Sequence, residues 1–394
     1  MDVQFAKRVA MMDSSVVRET LKLTARPDII SFAGGMPAPE VFPVEPLRAA
    51  ADKVLRTAGR TALQYGLSDG VASLREKIAA RHRAAGMPCQ AEDVLMINGS
   101  QQGLDLASRL FLNPGDLVAC ENPTYMAALS VFRGYECDLL PIDTDEEGMV
   151  LEDLERKLAA NPRVRLIYVI PTFQNPTGKT WSAARRKGLL ALAERYRLPV
   201  LEDNPYGDLR YEGEDVAPLR ALDTSGIVTY MGSFSKILSP GIRLGWMVAA
   251  PEVLEKLITA KQSTDVQAST FIQMMVDTYL ADNDLEENIR SLRALYGKRR
   301  DLMISAMKES FPKAARWVRP RGGLFLWVSL PDGMDTTALL PRAVEEKVAY
   351  IPGRSFYAGE DVDNTLRLNY SNATEEQIVT GIRRLGRVLC SHLG

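Results

Sequence analysis

The stretch VRLIYVIPTFQNPTGK at residues 164–179 joins an almost continuous apolar run to a compact polar turn. A strand that is apolar along its whole length is typical of a sheet buried on both faces, as parallel sheets are. Further apolar runs alternate with amphipathic segments and lie at residues 94–97, 117–120, 198–202, 227–231 and 244–249. This alternation predicts an α/β fold in which helices cover a mostly parallel sheet.

The pattern changes after Pro251, where a long helical stretch begins. Residues 317–330 suggest a pair of strands around the glycines at 322–323, and residues 374–392 have helical periodicity after the capping-box sequence TEEQ. We therefore predict a second, smaller α+β unit that begins near residue 290.

The composition excludes several classes of function. Only two histidines occur in 394 residues, and because histidine is the commonest general base and metal ligand, a His-based triad or a metal site is not expected. The net charge of −2 offers no basic excess for nucleic acid. Four cysteines without a CxxC pair suit neither a disulfide framework nor a metal knuckle, so we expect reduced packing residues. Without a signal-peptide core or a long apolar run, the sequence favours a cytoplasmic enzyme with no membrane partner.

A polar turn follows each predicted strand directly. The turns are NGSQQG at 98–103, ENPTY at 121–125, PTFQNPTGK at 171–179, DNPYGD at 203–208 and GSFSK at 232–236. In open α/β sheets the carboxyl ends of the strands form the ligand crevice. The five turns are therefore predicted to build one polar site.

Two of these turns suit an anion such as phosphate. In the first, Ser100 lies where backbone N–H groups of a new helix would point outwards, although a plain serine N-cap is the alternative. In the second, two hydroxyls, Lys236 and Arg243 follow one strand. A solvated basic loop is possible, but Lys236 has apolar neighbours, and desolvation beside another cation lowers a lysine pKa as imine formation requires.

Asp203 ends an apolar strand, where an unpaired carboxylate is unfavourable. It forms either a structural salt bridge or a contact with a protonated ring nitrogen. In the second case Asp203, Lys236 and an anion cradle together describe a site for pyridoxal phosphate.

The ordered motifs GSQQG, NPTY, QNPTG, DNPY, SFSK with Arg243, and LRLNYS resemble the aspartate-aminotransferase fold family of pyridoxal-phosphate enzymes, fold type I. SFAGGMPAPEVFP, ALQYGLSDG, FQNPTG and GSFSKILSPGIRLGW are most similar to the subgroup of 2-aminoadipate, kynurenine and aromatic amino-acid aminotransferases. The resemblance runs in order from about residue 14 to about residue 393. It implies a large domain with a mostly parallel seven-stranded sheet between helices, plus a smaller α+β domain.

The resemblance also implies a role for each matching residue. Lys236 would bind the cofactor as an imine and then carry the proton, and Asp203 would keep the ring nitrogen protonated. Asn175 and Tyr206 would hydrogen-bond the phenolic oxygen of the ring, and Tyr125 would stack on it. The phosphate would be held by Ser100, Gln101, Ser233, Ser235 and Arg243.

The substrate and the neighbouring subunit have their own matching positions. Arg367 would bind the substrate α-carboxylate, with Asn175 and Gly35 adding contacts, although an isolated arginine in a strand is more often part of a surface ion pair. Tyr65 would reach the phosphate of a neighbouring subunit, which implies a homodimer with shared active sites, and its alternative is an ordinary core or surface tyrosine. Arg18 would meet an acidic substrate side chain or would be an exposed helix arginine.

These inferences predict a pyridoxal-phosphate-dependent aminotransferase. It would move the amino group of an aromatic, aliphatic or 2-aminoadipate L-amino acid to a 2-oxo acid, 2-oxoglutarate, by a ping-pong mechanism. Residues 1–45 would cover the active site and pack with the small domain, 46–289 would bind the cofactor, and 290–394 would form the small domain. The alternative is a lyase, or another enzyme of the same fold that uses the same cofactor without transamination. A DNA-binding regulator is disfavoured because the resemblance begins near residue 14 and no basic recognition helix is present.

Overall fold

The computed structural model describes residues 3–11, 26–359 and 362–392. Its strands are β1 (Ile30–Ser31), β2 (Val94–Ile97), β3 (Leu117–Asn122), β4 (Asp138–Asp145), β5 (Gly148–Met149), β6 (Val164–Val169), β7 (Val200–Asp203), β8 (Val228–Ser233), β9 (Gly245–Val248), β10 (Arg316–Trp317), β11 (Phe325–Ser329), β12 (Val348–Ala349), β13 (Ile351–Pro352) and β14 (Thr365–Asn369). Its α-helices are α1 (Val44–Ala62), α2 (Ala72–Ala84), α3 (Ser100–Phe111), α4 (Met126–Gly134), α5 (Leu151–Ala160), α6 (Ala183–Tyr196), α7 (Leu219–Leu222), α8 (Pro251–Gln262), α9 (Thr270–Asp282), α10 (Leu285–Ser310), α11 (Thr336–Glu345) and α12 (Glu375–Ser391).

The large sheet confirms the α/β prediction. Among the described residues it has eight strands in the order β2-β9-β8-β7-β6-β3-β4-β5, and the central run from β8 to β4 is parallel. An eighth strand, β5, adds to the predicted seven by folding back on the partly exposed edge strand β4. Gly148 permits this turn because it has a φ of 109° and because a side chain there would collide with Trp181.

The apolar run that ends at Ile170 shows why the sheet is buried on both faces. Leu166 and Tyr168 belong to one hydrophobic cluster, whereas Ile167 and Val169 belong to another on the opposite face. Successive side chains of a strand point to opposite faces, so a strand covered on both sides must be apolar throughout. Leucines of α3, α4 and α8 complete the first cluster, and those of α5 and α6 complete the second.

A smaller antiparallel sheet has the strand order β10-β11-β14-β13 and is formed by residues 316–369, and α11 and α12 lie in the same C-terminal part of the chain. The predicted strand pair around residues 322–323 is confirmed as β10 and β11. The predicted last helix begins, as expected, at a Thr374 capping box. Strand β1 pairs in parallel with β12. The predicted boundary near residue 290 falls inside α10, and the division into domains stays a prediction.

The cysteines follow the prediction with one exception. All four lie in the described part of the chain and are unpaired, and Cys89, Cys120 and Cys137 are buried. The prediction that all four are packing residues is wrong for Cys390, which is exposed near the end of the last helix. Within the described ranges, every helix is too short or too polar to cross a membrane.

Candidate active site

A cavity of about 340 Å³ opens where the strands of the large sheet end. It is lined by Ser100, Gln101, Tyr125, Ile170, Asn175, Asp203, Pro205, Tyr206, Ser233, Ser235, Lys236 and Arg243. With the exception of Tyr65, every residue predicted to contact the cofactor lines this cavity. The five polar turns therefore converge because β2, β3, β6, β7 and β8 are neighbours or near neighbours in one sheet.

Asp203 is the last residue of β7 and is buried. Its Oδ2 accepts a hydrogen bond of 3.1 Å from the Tyr168 hydroxyl, and its Oδ1 has no hydrogen-bond partner. Burial raises the pKa of Asp203 to about 7, against the lowering effect of the Tyr168 hydrogen bond. No described cation pairs with it, so the salt-bridge alternative is wrong. A buried carboxylate oxygen without a partner fits a ring N–H donor.

Lys236 follows β8, and its Nζ donates a hydrogen bond of 2.7 Å to the carbonyl oxygen of Gly35. Desolvation in the cavity lowers the pKa of Lys236 to about 8, and the positive charges of Arg367 and Arg243 act in the same direction. Near neutral pH a larger fraction of this amine is therefore neutral than of an ordinary lysine, and the neutral amine is the form that acts as a nucleophile or takes up a proton. The solvated basic loop is excluded by this environment.

The N-terminus of α3 and the side chain of Arg243 meet at the cavity. Gly99, not Ser100, is the N-cap of α3, and no side chain caps this helix, so the serine N-cap alternative is wrong. Arg243 Nη2 donates to the carbonyl oxygen of Asn98 at 3.2 Å. A Cβ on Gly99 would lie 2.5 Å from that same nitrogen, and Gly99 has a φ of 79°. Glycine is therefore required where the guanidinium meets the helix N-terminus.

Tyr125, Asn175 and Tyr206 also line the cavity. Burial raises the pKa of both tyrosines, so their hydroxyls stay protonated at neutral pH and can donate hydrogen bonds. Asn175 acts on two neighbours, because its hydrogen bond lowers the pKa of Tyr206 and its Oδ1 accepts from Arg367. The arrangement suits an acceptor oxygen on a bound ring.

Arg367 lies on β14 and is buried, so the surface-ion-pair alternative is wrong. Its Nη1 donates to Asn175 Oδ1 at 2.8 Å, its Nη2 donates to the Ala33 carbonyl oxygen at 2.7 Å, and its Nε has no partner. The guanidinium stacks on Phe325 and Phe356, at 4.1 and 5.0 Å from the ring centroids. Burial lowers its pKa to about 10, which leaves it charged at neutral pH. A buried guanidinium without a carboxylate partner in the described chain is suited to bind a carboxylate ligand.

Among the described residues, three predicted site residues are not among those that line the cavity, namely Gly35, Arg367 and Tyr65. Gly35 and Arg367 contact lining residues, Lys236 and Asn175 respectively. Tyr65 is 82% exposed on the surface of the chain. Arg18 lies outside the described residues. Conversely, the sequence prediction missed Tyr168, although it lies in the apolar run before PTFQNPTG and on the strand beside that of Asp203. Only the pairing of β6 with β7 could have identified this contact.

The sheet, the convergent turns and the unpartnered Oδ1 of Asp203 define the class of protein, an α/β enzyme of the pyridoxal-phosphate fold type I. The family model for aminotransferase class I and II matches residues 29–385, and the chain belongs to this family. The protein is an aminotransferase with pyridoxal phosphate as its cofactor.

Similar proteins agree with this assignment along the whole chain. Aromatic-amino-acid aminotransferase 1 of Thermococcus litoralis is 45% identical over 98% of this chain and 94% of that protein. The 2-aminoadipate transaminase of Thermus thermophilus is 42% identical over 98% of this chain and 96% of that protein. The kynurenine aminotransferase structure of Pyrococcus horikoshii has a TM-score of 0.94 at 44% identity, covering 99% of this chain and 98% of that chain.

Proposed function

We propose that the protein transfers the amino group of an aromatic, aliphatic or 2-aminoadipate L-amino acid to 2-oxoglutarate by a ping-pong mechanism. The observation that carries this proposal is the buried guanidinium of Arg367, whose Nε has no partner. An α-carboxylate is common to the amino acid and to the 2-oxo acid, so one guanidinium can bind both in turn. The names of the relatives at 42–45% identity support the aromatic and 2-aminoadipate donor classes.

The residues of the cavity fit pyridoxal phosphate, which when bound supplies an electron sink. Asp203 Oδ1 would accept from the ring N–H, and Asn175 and Tyr206 would hydrogen-bond the phenolic oxygen. Tyr125 would cover one face of the ring. The phosphate would lie against the side chains of Ser100, Gln101, Ser233, Ser235 and Arg243.

Lys236 would hold the cofactor before the substrate binds and would then act as the proton carrier. Its Nζ takes the proton that leaves the substrate α-carbon, for which the neutral amine is needed. The lowered pKa near 8 makes that form accessible at the pH of a cell. Gly35, whose carbonyl oxygen accepts from Nζ, would help to orient the amine beside the substrate.

The test is a screen of the first half-reaction in the absence of any 2-oxo acid. Each amino acid is added in turn, and the absorbance band of the lysine-bound cofactor is followed. Good donors should abolish the band with one equivalent of 2-oxo acid formed, and 2-oxoglutarate should restore it. Lys236→Ala should have neither the band nor turnover, and retained transamination would refute the role of Lys236. A lyase would instead release ammonia or CO₂ without needing a second 2-oxo acid.

We propose that Arg18 binds the side-chain carboxylate of 2-oxoglutarate or 2-aminoadipate. A pocket that serves both an acidic and an apolar substrate needs a cation that is engaged only for the acid. Arg18→Ala should therefore raise KM for 2-oxoglutarate far more than KM for phenylalanine or leucine. Equal effects on both kinds of substrate would remove Arg18 from the pocket.

We also propose a homodimer with shared active sites. Leu63, Tyr65 and Leu67 are 75%, 82% and 71% exposed on one short segment, and Val266 beside it is 49% exposed. The segment is held to the Val266 turn by a hydrogen bond from the Gly66 N–H to Gln267 Oε1. A concentrated apolar surface of this kind is typical of an interface.

A subunit-mixing experiment tests the sharing of sites. Tyr65→Phe and Lys236→Ala are each prepared as inactive or weakened dimers and then mixed. If Tyr65 serves the neighbouring site, each mixed dimer regains one intact site, and random mixing restores about a quarter of wild-type activity. No recovery in subunits that are shown to exchange would refute shared sites.

The cytoplasm stays our proposed location. Three buried thiols and an exposed one remain unpaired in the structure, which is typical of proteins in a reducing compartment. Fractionation of the source cells, with the transaminase activity followed, would test this placement.

A further inference from the structure

A closed polar network lies directly beneath the turn of residues 98–102. Lys261, in the last turn of α8, is fully buried. Its Nζ donates to both carboxylate oxygens of Asp265, at 2.8 and 2.9 Å, and to Gln102 Oε1 at 2.9 Å. All three protons of the ammonium group therefore have acceptors, and none of those acceptors is solvent.

The same carboxylate holds the two ends of the turn. Asp265 Oδ2 accepts from Asn98 Nδ2 at 2.6 Å and from Gln102 Nε2 at 2.7 Å. Gln102 Oε1 in turn accepts from the Asn98 backbone N–H at 2.8 Å. Asn98 and Gln102 are thus tied to one another and to the ion pair. Of the three residues between them, Ser100 and Gln101 line the cavity.

The network also reaches the guanidinium of Arg243, which lines the cavity. The carbonyl oxygen of Asn98 accepts from Arg243 Nη2, so the position of Asn98 affects where that nitrogen lies. On its other side Asp265 opens a turn in which Val266 has a φ of 66°. A β-branched residue is rarely found in this left-handed region, and such strain persists only where the surroundings impose it.

Stability alone does not account for an ion pair at this place in which the lysine is fully buried and the aspartate largely so. Desolvation of two charges offsets most of their attraction, and apolar residues of similar volume are often at least as stabilising. A positional role explains the arrangement better, because every hydrogen bond that the Lys261 ammonium group donates is to Asp265 or Gln102, and Gln102 adjoins the cavity-lining Gln101.

We propose that Lys261 and Asp265 are positioning residues that hold the Asn98–Gln102 turn in the geometry that binds the cofactor phosphate. Neither residue lines the cavity, so both act through Asn98 and Gln102. The proposal rests on the proposed placement of the phosphate at Ser100, Gln101 and Arg243.

The test compares pyridoxal phosphate with pyridoxal, which has the same ring and aldehyde and lacks the phosphate. Both are titrated into the apoenzyme, and binding is followed by the absorbance of the lysine-bound form. Lys261→Met should weaken binding of pyridoxal phosphate by about tenfold or more, the effect of losing about one hydrogen bond to a charged group. Binding of pyridoxal should stay within about twofold of wild type.

Lys157→Met is the matched control. Lys157 also pairs with an aspartate four residues away on a helix, since its Nζ lies 2.8 Å from Asp153 Oδ2. Its Nζ also donates a hydrogen bond to the Pro141 carbonyl oxygen of β4, and Lys157 is not among the residues that line the cavity. This control should lower thermal stability without changing the ratio of the two affinities. A ratio that changes equally in both variants would overturn the proposal.

A double variant separates positioning from simple unfolding, because Lys261→Met alone leaves the Asp265 charge without its partner. Lys261→Met/Asp265→Asn removes both charges and should recover most of the thermal stability. If the phosphate-specific loss persists there, positioning is supported. If the affinity for pyridoxal phosphate returns together with the stability, or if pyridoxal loses as much as pyridoxal phosphate, the proposal is refuted. Failure of the wild-type protein to bind either compound would refute the cofactor placement itself.

Discussion

Acid should destabilise this protein through His82, one of its two histidines. His82 lies on α2 and is buried, although its sequence neighbours are both arginines. Its Nε2 accepts a hydrogen bond of 2.8 Å from the indole N–H of Trp246, and its ring packs edge-on against Tyr230. A protonated imidazole has no acceptor atom, so protonation breaks this bond inside the core.

The size of the effect follows from the difference between the folded and unfolded pKa. Burial, and then the positive charge of Arg81, lower the pKa of His82 from 6.5 to about 4, while Asp208 opposes them. The unfolded chain therefore takes up the proton first, so this contribution is present above pH 6.5 and is lost as the pH falls towards 4. Each pKa unit between the unfolded and the folded state corresponds to about 1.4 kcal/mol of unfolding free energy. The full loss of unfolding free energy is therefore about 3 kcal/mol, of which about 2 kcal/mol falls between pH 7 and pH 5.

Urea unfolding at one fixed protein concentration, at pH 7 and at pH 5, measures this loss. His82→Gln keeps an oxygen that can accept from Trp246 and does not titrate. Wild type should lose about 2 kcal/mol more than this variant over the interval. His392→Gln is the control because His392 is exposed after the last helix, and it should behave as wild type. Equal pH dependence in wild type and His82→Gln would refute the argument. A variant that carries both His82→Gln and His392→Gln should still catalyse transamination, since neither histidine is among the residues that line the cavity.

Three further substitutions test the cavity. Arg367→Lys should raise KM for amino acid and 2-oxo acid alike by about tenfold to a hundredfold, because lysine cannot form the bidentate contact, and unequal effects in steady-state kinetics would contradict a shared carboxylate site. Tyr168→Phe removes the hydrogen bond to Asp203 Oδ2 and should weaken cofactor affinity by about tenfold in an absorbance titration; unchanged affinity would show that the bond is dispensable. Gly99→Ala places a Cβ 2.5 Å from Arg243 Nη2 and should weaken pyridoxal phosphate more than pyridoxal, whereas an equal loss of both would point to general distortion.

The sequence predicted most of the large sheet because the information is local. An apolar run of four to seven residues is enough to identify a strand. Strand β2 has the predicted bounds, β6 ends one residue earlier than predicted, and β9 is one residue shorter than predicted at each end. The same locality applies to the turns. Most of the residues that line the cavity lie at the end of a strand or in the turn that follows it, and parallel topology then brings the strand ends together.

The partners of these residues could not be predicted in the same way. Arg367 donates a hydrogen bond to the carbonyl oxygen of Ala33, although the two residues are 334 positions apart in the sequence. Tyr168 meets Asp203 only because β6 pairs with β7 in one register. Lys261 belongs to a helix with an ordinary amphipathic pattern, and nothing near it in sequence marks it as buried beneath the turn of Asn98.

The sequence by itself determined the alternation of strands and helices, the residue types at each strand end and the family resemblance that they carry. The tertiary structure alone decided which of those side chains lack partners. Whether Asp203 forms a salt bridge, whether Arg367 is exposed and whether His82 is charged all depend on burial and on contacts between distant segments. Desolvation is a property of the packed surroundings, and it is desolvation that gives these ionisable groups their chemistry.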